Sequence, residues 1–323
     1  MNHLSVKTPT RRNNDQLGVG KFENPNVTAR GERRADVALE SLRTLWFNTG
    51  TLCNLTCVDC YIESSPTNDR LAYLSRAEVS GFLAEIEDHA LPVREIGFTG
   101  GEPFMNPDIL GMFKDALSRG HDVLVLTNAM RPMMKCAVGL TALNGQWPGK
   151  MTVRVSLDHY SKPLHELARG AHSWDKTIAG LRWLRDEGFN IDVAGRTCWS
   201  ESDETMRAGF ATLFAQENLP VDALDPVHLT LFPEMDANAD VPEITEACWG
   251  ILGVEPSSMM CASSRMVIKR KGAANPVVAP CTLLPYEDSL EMGETLEAAA
   301  GSVKLNHPHC AKFCVLGGGS CSG

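Results

Sequence analysis

Between positions 44 and 232, six short runs rich in apolar, β-branched and aromatic residues alternate with longer segments whose apolar residues recur three and four positions apart. The runs fall at 44–48, 95–99, 122–127, 152–157, 190–194 and 227–232, and are expected as buried parallel strands. The segments between them are expected as helices. Ser75 and Glu78 form a capping box ahead of a helix reaching position 89, with Val79, Phe82, Leu83 and Ile86 on one face. Pro107 is expected at the first position of a second helix, which Gly120 ends. Ser173 is expected to cap a third, with Ile178, Leu181 and Leu184 inward, and Gly188 follows it. A fourth spans 204–216, with Met206, Phe210, Leu213 and Phe214 inward. Strand–helix alternation of this kind implies a parallel sheet with right-handed crossovers.

Beyond position 233 the alternation stops. An acidic, proline-flanked stretch at 234–241 reads as a linker, and a β-hairpin is expected from 266–270 and 276–279 around a basic turn at Lys269–Gly272. Ahead of the first strand, positions 1–36 are polar and lack the apolar centre of an export signal, which reads as a mostly disordered tail or a strand-poor lid. The division expected is a polar tail over 1–40, an α/β core over 41–235 and a small cysteine-rich α+β extension over 236–323.

Charge and composition narrow the function. A formal net charge of −10 with no basic stripe argues against nucleic acid as a partner. No run of apolar residues is long enough to span a membrane, so the expected place is the cytoplasm. Eleven cysteines in a chain without an export signal point to metal or catalysis rather than to disulfides. They fall in two groups, Cys53, Cys57 and Cys60, and Cys261, Cys281, Cys310, Cys314 and Cys321, with Cys136, Cys198 and Cys248 between.

The first group, spaced C-x3-C-x2-C, follows the first strand. Three thiolates hold three corners of a four-iron cluster and leave one iron open to a small molecule. A structural zinc site wants four ligands, so a distant fourth donor keeps zinc in play. The second strand runs into Thr99-Gly100-Gly101-Glu102-Pro103. Its glycines allow backbone to approach a bound ligand closely, and the Glu102 carboxylate can accept from an ammonium.

The cysteine run with Tyr61 beside its last member, followed about one βαβ unit later by Gly-Gly-Glu-Pro, resembles the radical S-adenosylmethionine enzymes. The resemblance covers positions 44–233. It implies an incomplete (β/α)6 TIM-like barrel, a [4Fe-4S] cluster on Cys53, Cys57 and Cys60 with one open iron, and S-adenosylmethionine bound to it. It also implies cofactor contacts at Tyr61, Gly100, Gly101, Glu102, Pro103, Asn128, Ser156 and Arg196. Similar enzymes carry Thr-Asn-Gly where this chain has Thr127-Asn128-Ala129. Arg169 is a second candidate to pair a carboxylate. His159 and His165 read as packing or surface residues.

The distal cysteines resemble, more loosely, the SPASM or twitch extension that holds auxiliary clusters. A full SPASM carries seven cysteines, whereas this chain has five there. Five thiols saturate one four-iron cluster, so one auxiliary [4Fe-4S] cluster is expected on Cys261, Cys281, Cys310, Cys314 and Cys321, with structural zinc as the alternative. The function implied is reductive cleavage of S-adenosylmethionine to a 5′-deoxyadenosyl radical that takes a hydrogen atom from a peptide or protein side chain, with an electron from a flavodoxin or ferredoxin. About 40 residues ahead of the barrel are too few for a winged-helix leader-binding domain, which keeps a small-molecule substrate as the second reading. A non-enzymatic iron–sulfur or zinc protein is the third.

Overall fold

The computed structural model describes residues 20–58, 60–233, 236 and 238–318. In chain order its elements are β1 (Asp36–Val37), β2 (Thr44–Asn48), α1 (Arg76–Asp88), β3 (Glu95–Thr99), α2 (Ile109–Ser118), β4 (Asp122–Thr127), α3 (Arg131–Lys135), α4 (Ala137–Gln146), β5 (Met151–Ser156), α5 (Lys162–Arg169), α6 (Ser173–Asp186), β6 (Asn190–Arg196), α7 (Asp203–Gln216), β7 (Leu229–Phe232), α8 (Glu246–Leu252), β8 (Ser264–Ile268), β9 (Val277–Ala279) and β10 (Val303–Lys304). Strands β2 to β7 are parallel and neighbours in sequence are neighbours in space, as an incomplete (β/α)6 barrel requires.

Alternate residues of each strand serve two different layers. On β2, Leu45 and Phe47 join the outer core under the helices, while Trp46 points to the inner face. On β4, Val123 and Val125 go outward and Leu124 inward. Phe47, Phe98, Phe113 and Phe104 form a chain of ring contacts in the outer layer, with centroids 5.0–5.9 Å apart. Gly97 is glycine because the Trp46 ring fills its place; a Cβ there would lie 2.3 Å from the indole.

The capping box forms as expected. Ser75 Oγ accepts from the Glu78 amide and the Glu78 carboxylate accepts from the Ser75 amide, with Val79, Phe82, Leu83 and Ile86 buried below. Two helix starts differ from expectation. Pro107 precedes α2, and Asn106 Oδ1 instead accepts from the Asp108 amide in a tight turn. Ser173 is the first residue of α6 rather than its cap, since its hydroxyl donates back to the Gly170 carbonyl and left-handed His172 makes the entry.

Two larger corrections concern the chain's ends. The expected hairpin exists as β8 and β9, but it does not stand apart. β8 pairs in parallel with β2 and extends the sheet to eight strands. A bare β2 edge would expose a row of unpaired amides and carbonyls, and the hairpin covers it. The inner face of the barrel and the cysteine-rich region share one core, with Trp46 and Leu124 packed among Met260, Met266, Cys261 and Phe313. Residues 20–40 are likewise not a loose tail. β1 pairs antiparallel with β10, and the fully buried Arg34 pairs with Glu243 while donating to the carbonyls of Asn24, Val27 and Leu305. Positions 1–19 of that expected tail lie outside the described residues, as do Glu234, Met235 and Ala237 of the expected linker. Among the described residues, no helix is long and apolar enough to cross a membrane.

Candidate active site

The expected residues of the first cysteine group and of the cofactor site lie at or just after the C-terminal ends of β2 to β6, where chemistry collects in parallel sheets. The loop after β2 carries Cys53, Cys57 and Cys60. It is zipped to the loop after β3, the Gly101 amide donating to the Gly50 carbonyl and the Glu102 amide to that of Leu52. Gly100 has φ +139°, and a Cβ on Gly101 would sit 2.2 Å from the Leu52 carbonyl oxygen. Both glycines are therefore demanded first by backbone packed against backbone at the root of the cysteine loop. The motif by itself implies close approach to a bound methionine; the backbone contact adds a constraint inside the protein.

Cys53, Cys57, Cys60, Tyr61, Gly100, Gly101, Asn128, Ser156 and Arg196 together line one cavity of about 170 Å³. Asp158 and Arg169 share its wall, and Leu126, Ala194, Phe232, Pro233, Thr282 and Leu283 supply apolar surface. The last two come from beyond the barrel, a contribution that strand–helix alternation does not signal. Cys53 is pushed up to about 12 by burial, and burial also raises Cys57. Such thiols stay protonated unless a cation stands beside them; a bound metal deprotonates a coordinating thiol outright.

Glu102 and Pro103 are not among the wall residues. Glu102 is buried behind the wall and is an anchor. Its Oε1 accepts from Thr127 Oγ1 at 2.8 Å and from the Phe104 amide, and its Oε2 accepts from the Asn128 amide at 2.9 Å. Burial pushes its carboxyl up to about 7 against those three hydrogen bonds. Asn128 is thereby pinned, and its side-chain amide donates to Asn54 in the cysteine loop. Ala129, where similar enzymes carry glycine, has φ +56°, the left-handed conformation that favours glycine. Its carbonyl lies against Gly180 of α6, where a Cβ would come within 2.0 Å of it.

The cationic groups divide. Arg169 donates to Asp158 at 2.9 Å, and although burial opposes this, Asp158 holds the guanidinium above its ordinary value. Its Nε, and Ser64 Oγ on the same wall, are buried without a hydrogen-bond partner among the described residues. Arg196 donates to the Val58 carbonyl at 3.3 Å, tying β6 to the cysteine loop. His159 is held by Glu201 at 2.8 Å, and His165 packs on Trp174; neither is a wall residue.

A second, smaller cavity lies elsewhere. It is lined by Cys261, Cys281, Cys310, Cys314 and His309, with Met259, Met260, Leu283, Leu284, Val303 and Leu305. Cys261 precedes β8 and Cys281 follows β9, and Met266 pairs with Ala279, so both flank one end of the hairpin. A π-helical turn, Cys310–Val315, brings in the other two. Burial pushes Cys261 up to about 11 and Cys310 up to about 12. Cys321 lies outside the described residues. Among the described residues, no three His, Cys, Asp or Glu side chains converge on one point as ligands of a single ion; the thiolates of a multi-iron cluster bind separate irons and need no such convergence.

Residues 47–203 match the radical SAM superfamily. Over 143 residues, 44% of this chain, the sequence is 32% identical to the antilisterial bacteriocin subtilosin biosynthesis protein AlbA of Bacillus subtilis, covering 30% of that protein. Over 137 residues, 42% of this chain, it is 29% identical to the mycofactocin maturase MftC of Mycobacterium tuberculosis, covering 33% of that one. The matched stretch is thus about a third of either relative's length. The fold is similar to that of Streptococcus suis SuiB bound to its precursor peptide SuiA, with a TM-score of 0.59 at 11% identity, over 81% of this chain and 65% of that one. The cysteine loop and the glycine-rich turn packed on it both fall inside residues 47–203, and it is this stretch, just under half of the chain, that is similar to the radical SAM superfamily.

Proposed function

We propose that this protein binds a [4Fe-4S] cluster through Cys53, Cys57 and Cys60 and uses it, with S-adenosylmethionine, to modify a peptide. The observation that carries the reading is that three thiols, the Gly100–Gly101 turn, Asn128 and Ser156 meet on one cavity. The fit extends to two buried donors on that wall, Arg169 Nε and Ser64 Oγ, which suit a carboxylate- and ribose-bearing ligand. When bound, the pair supplies one-electron cleavage of the sulfonium to methionine and a 5′-deoxyadenosyl radical, which takes a hydrogen atom from the substrate. This chain's residues position and shelter that step. Glu102 fixes the Asn128 turn through two hydrogen bonds, and Arg196 and Asn128 hold the cysteine loop by its own polar groups. Leu126, Phe232 and Leu283 keep the cavity wall apolar, which shields a reactive carbon radical from side reactions.

Peptide as substrate is supported by the printed names of relatives that are maturation proteins and by the fold shared with a peptide-bound SuiB. A second [4Fe-4S] cluster in the cavity lined by Cys261, Cys281, Cys310 and Cys314 is part of the same proposal, and a cytoplasmic flavodoxin or ferredoxin is the electron source it needs. The test is anaerobic reconstitution with iron and sulfide. With reductant, S-adenosylmethionine should yield methionine and 5′-deoxyadenosine. Reconstituted protein that holds iron and yields neither overturns the reading. Adding short peptides encoded beside the gene should then give one product altered in mass; turnover confined to a small molecule would overturn the peptide assignment alone.

A further inference from the structure

An imidazole joins the thiols on the wall of the second cavity. His309 lines it beside Cys310 and Cys314, is only 5% exposed, and its Nδ1 is buried without a hydrogen-bond partner among the described residues. The neighbouring imidazole is differently placed. His307 Nδ1 accepts from the His309 amide at 3.1 Å, and its Nε2 lies 3.7 Å from the Glu287 carboxylate. The two rings stand edge to face at 4.5 Å, so His307 packs against His309 and restricts its ring.

The backbone explains how His309 reaches the cavity. In an ordinary α-helix, residues five apart diverge around the axis. Here the turn is π-helical, with the Leu316 amide donating to the Ala311 carbonyl five residues back. The wider turn brings positions five apart, such as 309 and 314, onto one side, together with Cys310. Single π turns of this kind recur at functional sites. A buried nitrogen left without a partner is destabilising, and the surrounding wall of Met259, Met260, Leu284 and Leu305 is apolar. A metal centre held by the neighbouring thiolates would satisfy that nitrogen, because imidazole nitrogen is itself a metal ligand.

We propose that His309 is a direct metal ligand of the C-terminal centre, through Nδ1, alongside three of the thiolates of Cys261, Cys281, Cys310 and Cys314. This rests on the reading that the distal cavity binds metal. The ligand set is then three sulfurs and one nitrogen, and the cysteine displaced from it stays near the centre.

The test uses the full chain with Cys53, Cys57 and Cys60 changed to serine, so that metal found after reconstitution belongs to the distal site, and the unaltered holoprotein as a control for folding. Both are made with ¹⁵N-histidine. If metal analysis finds iron, pulsed EPR of the reduced centre should show a strongly coupled nitrogen that changes with the isotope and disappears in His309→Gln. If it finds zinc, X-ray absorption should show imidazole scattering that the same substitution removes. An iron centre with no histidine nitrogen overturns the ligand assignment and leaves the distal cluster standing; a zinc centre with none overturns both. A chain that holds the first cluster normally but no metal at the distal site overturns both.

Discussion

Phe232 on the wall of the active-site cavity stacks on Phe313, with centroids 5.3 Å apart and planes inclined by 13°. Phe313 sits inside the π turn between Cys310 and Cys314. The wall of this cavity and the distal cysteine site are therefore supported by one ring contact, and Leu283 lines both cavities. Phe313→Ala should cost about 3–5 kcal/mol, as for a fully buried ring, and Phe313→Leu clearly less. Denaturant midpoints of the two variants check this. Equal midpoints for wild type and Phe313→Ala would mean that the ring carries no packing.

Cys57→Ala should abolish formation of 5′-deoxyadenosine while far-UV circular dichroism and the unfolding midpoint stay close to wild type. Cys57 lies in a loop outside the aromatic core, whose rings are supplied by strands and helices. Deoxyadenosine formed at the wild-type rate would refute the assignment of this loop as the cluster site.

Gly101→Ala tests why the glycine is there. A Cβ at 2.2 Å from the Leu52 carbonyl must push apart the two loops that the 50–52 and 101–102 hydrogen bonds join. The expected cost is about 1–3 kcal/mol of stability, with weaker iron retention, because Leu52 leads directly into Cys53. The metal-free protein should already be destabilised. Loss of S-adenosylmethionine affinity with unchanged metal-free stability would instead show that the glycine serves ligand approach alone.

Glu102 predicts a pH dependence. Its folded-state value of about 7 lies above the ordinary carboxylate value, raised by burial. Between the two, the folded state holds a proton that the unfolded state has released, so this group's contribution to stability falls as pH rises from about 4.5 to about 7. Glu102→Gln removes that titration. The difference in unfolding free energy between wild type and variant should therefore shift in the variant's favour across this window. At low pH the variant should be the less stable, since one amide end cannot accept from the Asn128 amide. A difference independent of pH would show that Glu102 does not titrate there.

Much of this protein follows from the order of its residues alone. Strand positions from Thr44 to Phe232 come within a few residues of expectation, because short apolar runs between amphipathic helices leave little choice but a buried parallel sheet. The Ser75–Glu78 box and the cysteine loop are local, and local hydrogen bonds or spacing carry them. What escaped depends on partners distant in sequence. The joining of β8 to β2, Arg34 buried against Glu243, and Thr282 and Leu283 on the cavity wall beside the cysteine loop all bring together segments over two hundred residues apart, and no period or motif encodes those pairings. Glu102 reads as a carboxylate able to accept from an ammonium; its hydrogen bonds from Thr127 and Asn128 exist only because β4 arrives beside it. His309 was invisible beside Cys310 for a related reason. Its place depends on one extra residue in a helical turn, a backbone choice decided by how the whole distal core packs.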